Sequence, residues 1–395
     1  MSTFNNKRVL IGLAGLMISG SLADLVNVLL GGVVNESIES FFDIIGLILF
    51  LSCLPELFRR ESKTIILSTL IFGILWWISG IFNPQNVPYL KEQSPQFFLY
   101  VLPYFWIGSY MVRRRFFLNG FLLIARWKFI LSISAQILII LQPMRDIFDG
   151  DYMNAANALI VGLISVSYLA YRDRKWYDVL GAVVGTGVLF LNGSRGIFLS
   201  LVLFWILIFI YNSSRSATSL LVSTAFLLLL VGVSGPLLDV LSSLSGQAGI
   251  STHLIDALGS MEGLFFDENR TYLYENFWQA ILEKPIWGYG IMGDRAISGY
   301  FASKPIYPHN IFLELSVDFG LILGVLLMLL FLIKVFKGLI NNNNDYKFGI
   351  IVLLCCCFVK LMVSSSFWQD QMFFMLLGFL LANSSVKRKD IIPIG

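Results

Sequence analysis

The sequence predicts an all-α polytopic membrane protein of about 12 transmembrane helices with one large, partly helical extracytoplasmic loop. Three observations predict it. Charged residues make up 13% of the 395 and apolar residues 57%, with a mean hydropathy of +0.77; a soluble domain carries roughly 25% charged residues. The apolar residues also fall in blocks of about 20, the length that crosses roughly 30 Å of hydrocarbon at 1.5 Å per residue. The basic residues, finally, gather on one side of those blocks.

Each block must satisfy its own backbone N–H and C=O groups in lipid, so each reads as a helix. The spans are 9–30, 38–57, 64–82, 97–112, 117–141, 152–171, 176–193, 195–212, 217–235, 310–333, 348–366 and 368–383. The fourth is short and the fifth contains Arg126 and Lys128, which makes this pair the least regular. With the N-terminus inside, 18 of the 28 Lys and Arg residues lie in inner segments, 7 in outer segments and 3 within spans. Positive-inside bias therefore predicts that both termini are cytoplasmic. The first span, after Lys7 and Arg8, is long for a signal-peptide core and lacks a clear cleavage site, so a retained anchor is expected. All four cysteines (Cys53, Cys355, Cys356, Cys357) lie in spans and build no disulfide or metal pattern. The net charge of +3 follows from topology and points to no nucleic acid.

Most connections are short. The exception runs over 236–309 within a single transmembrane domain, 1–395. It has a helix-like stretch at Asn269–Glu283, then breaks at Lys284-Pro285 and Gly288-Tyr289-Gly290. Its many aromatic residues argue for folding against the membrane surface rather than disorder.

Ionisable residues inside spans are expensive and mark candidate functional positions. On this topology Asp24, Asp43, Glu314, Asp318 and Lys360 all fall in the outer half of their spans. An outward-opening polar cavity is the expected consequence. Glu314 and Asp318 are four apart and share a helix face, and Asp318 and Lys360 lie at similar depth and could pair, for structure or for function. Of the two histidines, His253 lies in the poorly patterned part of the loop as a surface residue. His309 stands where the tenth span begins, at the cavity mouth, where a general base or an interfacial polar residue are both readings of it. Arg195, in the turn Asn192-Gly193-Ser194-Arg195-Gly196, and Arg270, in the loop, suit a phosphate or pyrophosphate ligand. Their plain readings are interfacial snorkelling and loop charge. No Gly-rich nucleotide loop, metal-ligand cluster or Ser-His-Asp arrangement is recognisable, and no cofactor is expected.

These residues resemble the O-antigen ligase / Wzy polymerase superfamily. The matching pieces are Arg195-x3-Leu199 ahead of an apolar helix, and Tyr307-Pro308-His309-Asn310 followed by nine residues and Gly320, with Glu314 between. A third piece is Arg270, then Trp278-Gln279-Ala280, Pro285 and Gly288-Tyr289-Gly290. Residues 175–335 carry the motifs, and the remainder agrees by topology; Leu323 departs from the small or polar residue often found there. The resemblance implies a metal-independent glycosyltransferase of the bacterial inner membrane whose site faces the periplasm. Its donor and acceptor would be undecaprenyl-pyrophosphate-linked glycans, with membrane lipid and a chain-length regulator protein as further partners. It implies that Arg195 and Arg270 hold the donor pyrophosphate, that His309 activates the acceptor hydroxyl, and that Glu314 orients His309.

Three functions remain to be separated: a polymerase of repeat units, a ligase that moves the finished glycan to the lipid A core, and a flippase. A flippase calls for charge through the full depth of a central path, so the outer bias of the polar residues ranks it last. The Tyr307–Glu314 run is closer to polymerases, which makes polymerisation the expected activity.

Overall fold

The computed structural model describes residues 2–30, 36–112, 115–141, 152–192, 195–213, 268–302, 304–341 and 343–383. Among these, all secondary structure is helical. The helices are α1 (Ser2–Leu29), α2 (Glu36–Phe82), α3 (Val87–Gln96), α4 (Leu102–Val112), α5 (Arg115–Leu141), α6 (Tyr152–Asp173) and α7 (Trp176–Asn192). They continue as α8 (Arg195–Ser213), α9 (Glu268–Glu283), α10 (Gly293–Ser298), α11 (Ile311–Phe319), α12 (Leu321–Leu339), α13 (Asn344–Val363) and α14 (Gln371–Asn383). The expected ninth span (217–235), the loop segment 236–267 and His253 lie outside the described residues.

Five helical stretches are long and apolar enough to cross a membrane: Lys7–Leu29, Glu36–Phe82, Phe117–Ile139, Leu321–Leu339 and Asn344–Val363. The protein is therefore an all-α, membrane-embedded one. α2 has 47 residues, about 70 Å at helical rise and far more than one crossing needs. Glu61 (φ −122°, ψ 22°) interrupts its helical geometry just after Arg59 and Arg60, where the sequence expects a turn between two spans. Glu61 is buried and accepts hydrogen bonds from Thr64 Oγ1 (3.2 Å) and Ser109 Oγ (2.9 Å), which hold the kink.

By internal contacts the chain divides into two units. The second comprises Met17–Asp43 and Leu122–Asp267, and it contains most of α5 with α6, α7 and α8. Here the charges inside the fifth span find partners. Arg126 donates to Asp178 Oδ2 at 2.7 Å and lies over the Tyr177 ring, and Lys128 donates to the Met17 carbonyl at 2.9 Å. A charge so matched is tolerated at membrane depth. Small residues bring helices close: a Cβ at Gly162 would sit 2.6 Å from Phe129 Cα, so the α5–α6 contact requires glycine.

The first unit comprises Met1–Leu16, Ile44–Phe121 and Glu268–Gly395. Its α4 and α14 pack backbone to backbone, since a Cβ at Gly108 would strike the Met375 carbonyl and one at Gly378 the Phe105 carbonyl. Around them Trp76, Phe97, Phe374 and Trp368 form an aromatic core, with Trp76 and Phe97 stacked at 4.8 Å.

One expectation is overturned in this unit. The tenth span, read as a continuous helix over 310–333, is two helices, α11 and α12, separated at Gly320 (φ +83°, ψ 158°). That backbone conformation is open to glycine alone in practice, and a Cβ there would meet the Ile286 carbonyl. The break is stable because a second segment satisfies the freed backbone groups. Tyr289 N donates to Val317 O (2.8 Å), Gly290 N to Asp318 O (2.9 Å), and Leu321 N to Pro285 O (2.8 Å). An interrupted helix at membrane depth needs this kind of substitution. The 285–291 segment is in turn pinned by buried Asn86, whose Nδ2 donates to Tyr289 O (2.8 Å) and Ile291 O (3.0 Å).

Candidate active site

The site is built on the two ends of α11. At its N-terminus Asn310 is extended (φ −152°) and its side-chain oxygen accepts from Phe312 N (2.9 Å) and Leu313 N (3.3 Å). This is the cap expected of an Asn before an apolar helix. His309, directly before the cap, has φ +54°, a left-handed conformation uncommon outside glycine. Strained backbone of this kind gathers at functional positions because the surroundings must hold it. The His309 ring lies 4.3 Å from that of Tyr307.

Below this point runs a buried polar network that the sequence did not reveal. Arg295, on the short helix α10, is 5% exposed. Its guanidinium binds the Asp294 carboxylate, Glu314 Oε1 (3.0 Å) and Ser366 Oγ (2.7 Å). Glu314 also accepts from the Ser366 hydroxyl and from Phe367 N (3.0 Å), so its carboxylate is held by Arg295, Ser366 and a backbone amide. Asp318, one turn further along α11, accepts from Trp368 Nε1 at 2.7 Å. Burial by itself would lower the Arg295 pKa, but Asp294 and Glu314 outweigh it and the pKa is raised. Arg295 is a permanent buried cation.

Tyr307 joins this network to His309. Its ring lies 5.2 Å from the Arg295 guanidinium, and its hydroxyl donates to the Ser364 carbonyl at 3.1 Å. Burial pushes the phenol pKa up, as does the Glu314 charge, while the charges of Arg295 and Arg270 oppose the shift. Tyr307 is thus a neutral donor. Arg270, on α9, is close enough for its charge to act on Tyr307. α9 reaches this position by packing Phe277, Ala280 and Ile281 against Tyr289, Ile297 and Val317.

The structure therefore gathers His309, Tyr307 and the field of Arg270 at one end of α11, with Glu314 inside the network beneath. Arg195 opens α8 in the other unit, and its side chain lies outside the described residues. The expected Asp318–Lys360 pair is not formed. Lys360 Nζ binds Asp370 Oδ2 at 3.1 Å, and Asp370 also caps α14 by accepting from Phe373 N at 2.8 Å. The 364–370 connection between α13 and α14 places Asp370, near the start of the span read over 368–383, beside Lys360. Asp294 and Arg295 were missed with Ser366 and Trp368 because the two pairs lie far apart in sequence, Arg295 and Ser366 being 71 residues from each other. An Asp-Arg pair in a Gly-rich loop was the only local signal.

No group of three or more His, Cys, Asp or Glu side chains suited to a metal ion occurs among the described residues. No curated protein and no solved structure matches the chain. The family model described as O-antigen ligase matches residues 180–329, a range that takes in Arg195, Arg270, Asp294, Arg295, His309, Glu314 and Gly320. An O-antigen ligase family domain is thus found at residues 180–329, which supports the resemblance to the O-antigen ligase / Wzy superfamily.

Proposed function

We propose that this chain is an extracytoplasmic glycosyltransferase that polymerises undecaprenyl-pyrophosphate-linked oligosaccharide repeat units into O-antigen or a related surface polysaccharide. In the reaction, His309 takes the proton of an acceptor sugar hydroxyl. The resulting oxygen attacks the anomeric carbon of the donor glycan, the bond to the pyrophosphate oxygen breaks with inversion, and polyprenyl pyrophosphate leaves. Arg195 and Arg270 stabilise the charge that develops on the departing group. Glu314 contributes by fixing Arg295 under the site. The observation that carries this reading is the placement of His309 at strained φ on a capped helix start, beside a tyrosine that also lies in the field of Arg270.

A ligase reading is favoured by one observation, the matched family's description as O-antigen ligase. The two share donor chemistry and differ in acceptor. Deletion of the gene separates them. A polymerase null is expected to leave lipid A core bearing a single repeat unit, visible as one band above the bare core on a lipopolysaccharide gel. Long chains still built on the lipid carrier, with none transferred to core, would identify a ligase instead.

A further inference from the structure

We propose that Tyr307 is a positioning residue for His309, and that Arg295 fixes the tyrosine ring from the buried side. The inference rests on the transferase reading above and names how its base is held. His309 follows a proline and sits at φ +54°, so its backbone fixes where the imidazole starts but not how the ring turns about its own χ angles. Tyr307 meets it, with ring centroids 4.3 Å apart and planes inclined at 51°.

Tyr307 is itself held at two points. Its hydroxyl donates to the Ser364 carbonyl at 3.1 Å, at the C-terminal end of α13. Its ring lies 5.2 Å from the Arg295 guanidinium, within reach of a cation–π attraction that strengthens when the cation is desolvated. Arg295 cannot swing away, because Asp294, Glu314 and Ser366 occupy its donors. The order Glu314–Arg295–Tyr307–His309 therefore runs from a fully bonded interior to the residue at the surface of the site. Arg295 is on α10, Tyr307 and His309 share the segment before α11, and Glu314 is on α11, which gives Glu314 a path to His309 through Arg295 and Tyr307. Reaction geometry is sensitive to such support, since a base displaced by about 1 Å loses on the order of 100-fold in rate.

The chain contains only two histidines, His253 and His309, so the imidazole region of a spectrum is simple. The full chain, labelled with ¹⁵N-histidine and purified in detergent micelles, would be compared as parent, Tyr307→Phe, Tyr307→Leu and His309→Ala. His309→Ala assigns the resonances. Turnover would be measured on the polyprenyl-pyrophosphate-linked glycan pool extracted from cells deleted for this gene. Tyr307→Leu is expected to shift or broaden the His309 ring signals and to lower kcat by at least about 10-fold, with KM near the parent value. Tyr307→Phe keeps the ring and is expected to restore most of both. Parent-like His309 signals in Tyr307→Leu would overturn the positioning role while leaving the transferase reading intact. Shifted signals with parent kcat, in a protein that His309→Ala inactivates, would overturn it as well. Full activity of His309→Ala would overturn the transferase reading, and the role of Tyr307 with it.

Discussion

His309→Ala is expected to abolish product while leaving the protein folded and membrane-inserted. A positioned general base contributes roughly 100- to 10,000-fold to a transfer rate, and a neutral sugar hydroxyl is a poor nucleophile without one. The substituted position lies outside any helix, at φ +54°. Alanine there relieves no packing in the network, because Glu314 keeps Arg295, Ser366 and the Phe367 amide as partners. The loss should therefore be in turnover and not in expression. Lipopolysaccharide gels from a deletion strain carrying the variant, with protein level checked by immunoblot, measure it. Normal chain lengths at normal protein level would remove His309 from the mechanism.

Arg295→Met is expected to be strongly destabilising. The arginine is the cation for two buried carboxylates, Asp294 and Glu314, each 0% exposed. Removal of one partner of a buried ionic network leaves the others uncompensated, a cost of about 3–5 kcal/mol. Methionine is close in shape, so a cavity contributes little to the loss. Arg295→Lys keeps a charge but cannot present two nitrogens in a fixed fork to Glu314 and Ser366, and its stability should fall between parent and Arg295→Met. Thermal unfolding in detergent, followed by size-exclusion fluorescence, measures the difference. A midpoint for Arg295→Met equal to that of the parent would contradict the network as a structural element.

How much of this the sequence carries depends on whether the cause is local. A helix in lipid must satisfy its own backbone, so apolar blocks such as 117–141 and 152–171 are legible and appear as α5 and α6. The helical stretch near Asn269–Glu283 and the glycine-rich break after it are also legible, the first from pattern and the second from Gly288 and Gly290, both at positive φ. The Gly320 break is not. Apolar residues flank it on both sides, and the groups that make it tolerable come from 285–290, a distant segment. The buried network is illegible for the same reason. Arg295 reads as a loop charge until Glu314 and Ser366, 19 and 71 residues away, are brought to it. Of the candidate residues, His309 and Glu314 were singled out by position on a span. A path between them runs through Arg295 and Tyr307, which no spacing in the sequence suggested.

On the proposed mechanism one chain, unaided by a nucleotide sugar, transfers a glycan between lipid carriers at His309. The most direct test reconstitutes the purified full-length protein in liposomes with the polyprenyl-pyrophosphate-linked glycan pool from the deletion strain. Chain length and released polyprenyl pyrophosphate would then be followed together by mass spectrometry. Glycans of two or more repeat units are expected to accumulate on the carrier, with one polyprenyl pyrophosphate released per bond formed, and His309→Ala is expected to support neither. Lengthening without release of polyprenyl pyrophosphate, or equal lengthening by His309→Ala, would contradict that mechanism.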